Sequence, residues 1–173
     1  MTPEIAAALS DFKSRSRDRV QPARKLLPLI KPGQAAADVH ALLGPPSQKQ
    51  SDYALFYSST LVVTFDVSDK VTKVDSDLAS EVVKTSGDVN DPVVAAASRE
   101  FKASPYVRQE PARKLIPLIS KGMALGEVEE LLGPPNRRSW EYALGPSSLP
   151  VLVVRFDDQE KVREAAIFPP DVQ

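Results

Sequence analysis

The chain contains the sequence Pro-Ala-Arg-Lys-Leu-Leu-Pro-Leu-Ile at Pro22–Ile30 and repeats it, with one Leu replaced by Ile, at Pro111–Ile119. The run Leu-Leu-Gly-Pro-Pro at Leu42–Pro46 recurs at the same interval of 89 residues, at Leu131–Pro135. Between residues 3 and 55, about 26 of about 53 positions are identical at this interval, where chance would leave only a few. The sequence therefore indicates a tandem duplication.

The repeats set the expected domain organisation of the 173-residue chain. Past residue 55 the interval becomes 91, because the second copy has two extra residues in the loop around Gly145–Pro150. We predict one repeat unit over residues 3–77 and a second over residues 92–169. Residues 78–91 between them are predicted to be a polar linker.

Each repeat is predicted to run from helices into strands. Apolar residues in Pro22–Ile30 have helical spacing, and Pro28 should bend or end that helix. A second short helix should stop at Gly44, and a hairpin turn is expected at Asp66–Asp69 between alternating apolar segments. The predicted fold class is α+β, with helices on one face of an antiparallel meander. The expected helix-facing strand residues are Leu61, Val63, Phe65, Leu152, Val154 and Phe156.

The composition excludes several kinds of chemistry. The absence of cysteine excludes disulfides and thiolate nucleophiles, and the single histidine excludes a metal site held by a histidine pair. The 22 basic and 23 acidic residues leave a formal charge of -1, which does not suggest a nucleic-acid-binding surface. We therefore expect a non-enzymatic protein with no cofactor or metal, whose partner is another protein.

No segment is apolar for long enough to be a signal peptide or a membrane span. We expect no membrane insertion and a soluble protein, cytoplasmic as the sequence stands. If an export signal has been removed ahead of Met1, the protein is instead exported.

The strand phase opposite the helices supplies the first candidate partner-binding residues. Phe56 is a large aromatic side chain on a face that is otherwise small or polar, which is typical of a binding anchor. Alternatively, Phe56 packs against the neighbouring repeat or a loop. The other candidates in this phase are Val62, Thr64, Glu141, Val153 and Arg155.

A second candidate group surrounds the only tryptophan, Trp140, which follows Arg137 and Arg138. Tryptophan and arginine are enriched at protein interfaces, so these three residues are candidates for partner binding. Alternatively, Trp140 shares the phase of Tyr142 and covers the end of the core, and the two arginines are solvated charges.

The order of helix, glycine turn, helix, Leu-Leu-Gly-Pro and strands, carried by Pro32–Pro46 and Lys121–Pro135, resembles the SmpA/OmlA family of small outer-membrane assembly lipoproteins. It also resembles the beta-lactamase inhibitory proteins, which are similar in fold and, like this chain, carry a tandem pair of units. The resemblance implies a module whose sheet surface and loops bind another protein. The chain departs from both groups, because it lacks the cysteines that staple the inhibitory proteins and the cysteine that anchors a lipoprotein.

Two functions are therefore expected. The first is an inhibitor-, immunity- or adaptor-like protein-binding module that uses the open sheet face and loops of two fused repeats. The alternative is a structural or envelope-maintenance component related to the outer-membrane assembly lipoproteins.

Overall fold

The computed structural model describes residues 2–14, 18–78, 90–105, 107–146 and 150–169. Within these ranges it contains six α-helices and six strands of an antiparallel sheet, which confirms the predicted α+β class. Most of the predicted linker, residues 79–89, lies outside the described residues.

The elements follow the same order in both halves of the chain. The first half contains α1 (Pro3–Lys13), α2 (Val20–Leu26), α3 (Ala36–Leu43), β1 (Gln48–Phe56), β2 (Ser59–Phe65) and β3 (Val71–Ser76). The second half contains α4 (Pro92–Ala103), α5 (Gln109–Leu115), α6 (Leu125–Leu132), β4 (Arg137–Ala143), β5 (Val151–Phe156) and β6 (Val162–Phe168).

The prolines of the repeated motif end α2 and α5 as predicted. Each of these helices passes into a single 3-10 turn, at Leu27–Leu29 and Ile116–Leu118, and the proline is the second residue of that turn. Proline has no backbone N–H and its ring crowds the preceding helical turn. The α-helical hydrogen-bonding pattern therefore cannot continue past Pro28 or Pro117.

The chain divides into two compact units that do not coincide with the sequence repeats. Unit 1 consists of residues 1–49 and 138–173, and unit 2 consists of residues 50–137. The prediction of helices on one face of a meander in each repeat implies that each repeat covers its own strands with its own helices. Instead, unit 1 packs α1–α3 of the first repeat against the strands of the second, and unit 2 packs α4–α6 against the strands of the first.

In unit 1 the strand order is β4-β5-β6, with Tyr142 opposite Leu152 and Val154 opposite Ala165. The ring of Phe12 from α1 lies 5.9 Å from the ring of Tyr142, between centroids. Burial of these apolar side chains is the main term that holds the helices on the strands. The buried members of this core other than alanine are Phe12, Leu26, Ile30, Val39, Leu43, Tyr142, Leu144, Leu152, Val154, Phe156 and Val162.

In unit 2 the strand order is β3-β2-β1, and Val63 lies opposite Val74. The ring centroids of Tyr53 and Phe101 are 6.1 Å apart, at the position equivalent to Phe12 and Tyr142. The buried members of this core other than alanine are Tyr53, Leu55, Leu61, Val63, Phe65, Val71, Val94, Phe101, Leu115, Leu118, Ile119, Val128, Leu131 and Leu132. All six strand residues predicted to face helices are buried, against helices of the other repeat.

Backbone hydrogen bonds reinforce the exchanged packing in each unit. In unit 1 the N–H of Gly33, in the connection between α2 and α3, donates to the carbonyl of Val162 over 2.8 Å. In unit 2 the N–H of Gly122 donates to the carbonyl of Val71 over 2.9 Å. The connection that precedes the third helix of one repeat is thus bonded to the last strand of the other.

Candidate functional site

The strands of each unit have an open face, defined as the face that points away from the helices. In unit 1, Ala143, Val151 and Phe168 lie opposite one another on the three strands and form an apolar row on this face. The next row contains Val153 and Ala166. Val153, a predicted partner-binding residue, is buried, with 8% of its surface exposed.

Charged groups border this row. Arg155 is exposed and donates through Nη1 to Oε2 of Glu164 over 2.7 Å, and its guanidinium lies 5.1 Å from the centre of the Phe168 ring. Glu141 accepts a hydrogen bond from Nε2 of Gln48 over 2.5 Å. Both predicted residues, Arg155 and Glu141, are thus on the open face, and their charged groups have partners in unit 1.

The open face of unit 2 is more polar. Val62 is half-buried opposite Asp75, and Thr64 lies opposite Lys73. Thr64 is only 6% exposed, so this predicted binding residue is buried, as Val153 is. Lys73 and Asp75 form an exposed ion pair, with 2.8 Å between Nζ and Oδ2.

Exposed apolar side chains collect at the end of unit 2 where β1 turns into β2. Phe56 ends β1 and is 37% exposed, and Tyr57, the next residue, is 93% exposed. Their rings meet edge to face, with 4.2 Å between centroids. Val107, which is 60% exposed, is next to this turn because the following residue, Arg108, donates its N–H to the carbonyl of Leu55 over 2.7 Å. We call Phe56, Tyr57 and Val107 the hairpin patch.

The aromatic pair of the hairpin patch has no counterpart in the sequence of the other repeat. The stretch of residues 144–150, Leu-Gly-Pro-Ser-Ser-Leu-Pro, contains no aromatic residue, and Val107 corresponds to Asp18 at the repeat interval of 89. The aromatic pair is therefore a feature of the first repeat's turn and is not shared by both repeats.

Arg108 fixes the segment that carries Val107. Its guanidinium donates to the carbonyl of Ser104 over 2.6 Å and to Oδ1 of Asn136 over 3.0 Å, and it stacks 4.7 Å above the ring of Phe101. Only 7% of Arg108 is exposed, and this burial lowers the pKa of its guanidinium from the ordinary value. The connection between α4 and α5 is therefore anchored beside the end of β1.

The equivalent arginine, Arg19, performs the same task in unit 1. It donates to the carbonyls of Phe12 and Ala143, and its guanidinium lies 5.0 Å from the centre of the Phe12 ring. Neither arginine is among the site residues that the sequence predicted. The identity of Arg19 and Arg108 at the repeat interval was the available signal.

Trp140 is not on the open face of its own unit. It lies on the helix-facing side of β4, 4.7 Å from Phe156 between ring centroids, and its ring is 6.1 Å from that of His40. Nζ of Lys49 lies 5.7 Å from the centre of the indole ring. Trp140 thus occupies the position, at the end of the core, that its shared phase with Tyr142 indicated as an alternative.

The two arginines before Trp140 alternate in direction along β4. Arg137 is exposed, in the phase of the open face. Arg138 is half-buried in the helix-facing phase, and its Nη1 lies 3.5 Å from Oε1 of Glu160. The structure therefore does not bring Arg137, Arg138 and Trp140 together on one surface.

Within the described ranges, no three or more His, Asp or Glu side chains are grouped so that they could hold a metal ion. In the same ranges, no helix combines the length and the apolar character that crossing a membrane requires. No protein-family model, curated protein or solved structure matches the chain.

Proposed function

We propose that the protein is a non-enzymatic protein-binding module, inhibitor-, immunity- or adaptor-like, that contacts its partner through the hairpin patch and the adjoining open face of unit 2. The observation that carries the proposal is the exposed aromatic pair of Phe56 and Tyr57, which the equivalent turn of unit 1 lacks. Aromatic side chains at the centre of an interface supply much of its binding energy.

The supports of the hairpin patch favour binding over simple exposure. Phe56 extends a strand in which Tyr53 and Leu55 are fully buried, so its backbone is held by the core of unit 2. Arg108 and Asn136 hold the segment that carries Val107. Side chains on a fixed backbone lose less conformational freedom on binding, so more of the contact energy appears as affinity.

The proposal is tested by affinity capture from the source cells with the wild-type chain and a Phe56→Ala, Tyr57→Ala double variant. We expect the wild type to capture one protein and the double variant to capture at least tenfold less of it. Aromatic anchor residues commonly contribute roughly 2 kcal/mol or more each to binding. Val93→Ala is the matched control, because Val93 is an exposed apolar residue (52%) of unit 2 outside the hairpin patch.

Circular dichroism must show that all variants fold. Capture that survives in the double variant, or capture lost equally in Val93→Ala, would contradict the hairpin patch as the binding surface. Failure of the wild type to retain any protein would contradict the binding function itself.

A further inference from the structure

We propose that two copies of this chain associate by antiparallel pairing of β3 with β3, centred on Val74. This inference is independent of the function proposed for the hairpin patch. It concerns the outer edge of unit 2 and commits to one occupant, a second copy of the same strand.

The outer side of β3 is a short strand edge. Its other side pairs with β2. The pairing begins where Ser76 lies opposite Leu61 and ends where Val71 lies opposite Phe65. On the outer side, Val71 exchanges hydrogen bonds of 2.9 Å with Gly122 and Met123, and no further bond from β3 to another segment occurs on this side within the described residues. An edge of this kind can pair with another strand.

The side chains of β3 are complementary to themselves when the strand is reversed. In antiparallel pairing about Val74, Lys73 of each copy lies directly opposite Asp75 of the other, and Thr72 lies opposite Ser76. Side chains directly opposite in an antiparallel pair have Cβ atoms roughly 4.5–5.5 Å apart, and opposite charges at that separation attract.

The two charged side chains of this contact are already adjacent within one copy. Lys73 and Asp75 already lie 2.8 Å apart on the open face, with 67% and 52% of their side chains exposed. Pairing two strands would extend this ion pair into a ring of four alternating charges. A lysine on a sheet edge ordinarily discourages pairing, but in this register each lysine meets an aspartate.

The equivalent outer strand of unit 1 lacks this property. At the repeat interval of 91, Lys73, Val74 and Asp75 correspond to Glu164, Ala165 and Ala166. Pairing β6 with itself about Ala165 would place Glu164 opposite Ala166, without any opposite charge. The self-complementary pattern is thus a feature of β3 and not of the repeat.

The dimer should be weak. A five-residue edge buries much less than the roughly 800 Å² per partner of a standard stable interface. We therefore expect a dissociation constant on the order of 0.1 mM at low ionic strength, and weaker association as salt screens the exposed charges.

Sedimentation equilibrium of the full chain tests the proposal through charge reversal. Lys73→Asp places two aspartates opposite each other twice in the dimer, and we expect it to weaken association at least about tenfold. The double variant Lys73→Asp, Asp75→Lys restores an opposite charge at both positions. We expect its association constant to return to within about threefold of the wild type.

A disulfide trap tests the register. The chain has no cysteine, so Val74→Cys provides a single thiol that would face its own copy. Opposite Cα atoms in antiparallel strands are roughly 4.5–5.5 Å apart, within the range that a disulfide bridges. We expect Val74→Cys to form a covalent dimer under mild oxidation and the matched variant Ala165→Cys to remain monomeric.

Three results would overturn the proposal: a wild-type chain that stays monomeric up to millimolar concentration, a dimer that the single reversal leaves unchanged, or a double variant that fails to recover. The Phe56→Ala, Tyr57→Ala variant separates the two surfaces. It should still dimerise, and a dimer lost in that variant but retained in Lys73→Asp would assign self-association to the hairpin patch instead.

Discussion

In each unit, one tyrosine hydroxyl connects the core to the end of a helix. Tyr142 is buried in unit 1 and donates its hydroxyl to the carbonyl of Gly44 over 3.2 Å, and Tyr53 bonds the carbonyl of Gly133 over 3.3 Å in unit 2. Burial disfavours the phenolate and raises the pKa of Tyr142 well above its ordinary value. The neutral hydroxyl, which is the hydrogen-bond donor, is therefore the form that the fold requires.

This coupling predicts a loss of stability in alkali. The pKa of Tyr142 is higher in the folded chain than in the unfolded chain. The contribution of Tyr142 to the free energy of unfolding is therefore complete below the unfolded-state pKa of about 10, and it falls as pH rises above that value. In urea unfolding, Tyr142→Phe should cost about 1 kcal/mol at neutral pH, since the hydrogen bond is lost. Between pH 10 and 11 the wild type should lose about 1 kcal/mol more than this variant.

Tyr57→Phe is the matched control for loss of a tyrosine hydroxyl, because the side chain of Tyr57 is 93% exposed. At neutral pH it should leave the free energy of unfolding within about 0.5 kcal/mol of the wild-type value. Equal alkaline slopes for Tyr142→Phe and the wild type would show that the Tyr142 hydroxyl does not titrate differently in the folded and unfolded chains.

At the scale of elements, the ends of α3 and α6 depend on glycine. Gly44 and Gly133 have φ of 81° and 78°, with ψ of -167° and -172°. This extended region at positive φ is open essentially to glycine alone, because a Cβ atom would clash with the backbone. It turns the chain from the helix into the Pro-Pro segment that leads to the strands.

Alanine substitutions at three glycines should therefore differ in sign. Gly44→Ala should lower the free energy of unfolding by about 1–3 kcal/mol through backbone strain. Gly133→Ala should cost more, since its Cβ would lie 3.1 Å from Cγ of Lys102, whose Nζ is bonded to the carbonyl of Glu130. Gly126→Ala should stabilise by about 0.5 kcal/mol, because that helical glycine has no atom within 4 Å of an added Cβ. Urea unfolding of the three variants makes the comparison, and a cost at Gly126 would contradict it.

The elements themselves were accessible from the sequence. The helical spacing in Pro22–Ile30, the stop at Gly44 and the turn at Asp66–Asp69 are all confirmed, because each depends on local backbone chemistry. The candidate surface was accessible only in part. The alternation of side chains along β1 predicted Phe56 on the open face. The position of Val107 beside Tyr57 instead depends on a contact between segments far apart in the sequence, the hydrogen bond from Arg108 to Leu55.

At the scale of the whole molecule, the sequence could not show which helices cover which strands. The two repeats carry the same apolar types at most core positions, as in Phe12 and Phe101 or Tyr53 and Tyr142. Helices of either repeat therefore offer a matching face to strands of either repeat, and side-chain chemistry does not distinguish the two arrangements. The choice depends on chain connection, which hydrophobic periodicity does not report.

The exchanged packing predicts that a repeat and a folding unit respond differently when isolated. A fragment of residues 50–137 contains every buried residue of the unit 2 core, so it should fold with a cooperative urea transition. Its free energy of unfolding should be small, because a domain of this size buries a small core. A fragment of residues 3–77 contains α1–α3 and β1–β3, whose apolar faces pack against segments it lacks. It should aggregate, or show helical far-ultraviolet dichroism without dispersed amide resonances. A compact, well-dispersed monomer from residues 3–77 would mean that helices and strands of one repeat can pack against each other, and it would contradict the exchanged arrangement as the only stable one.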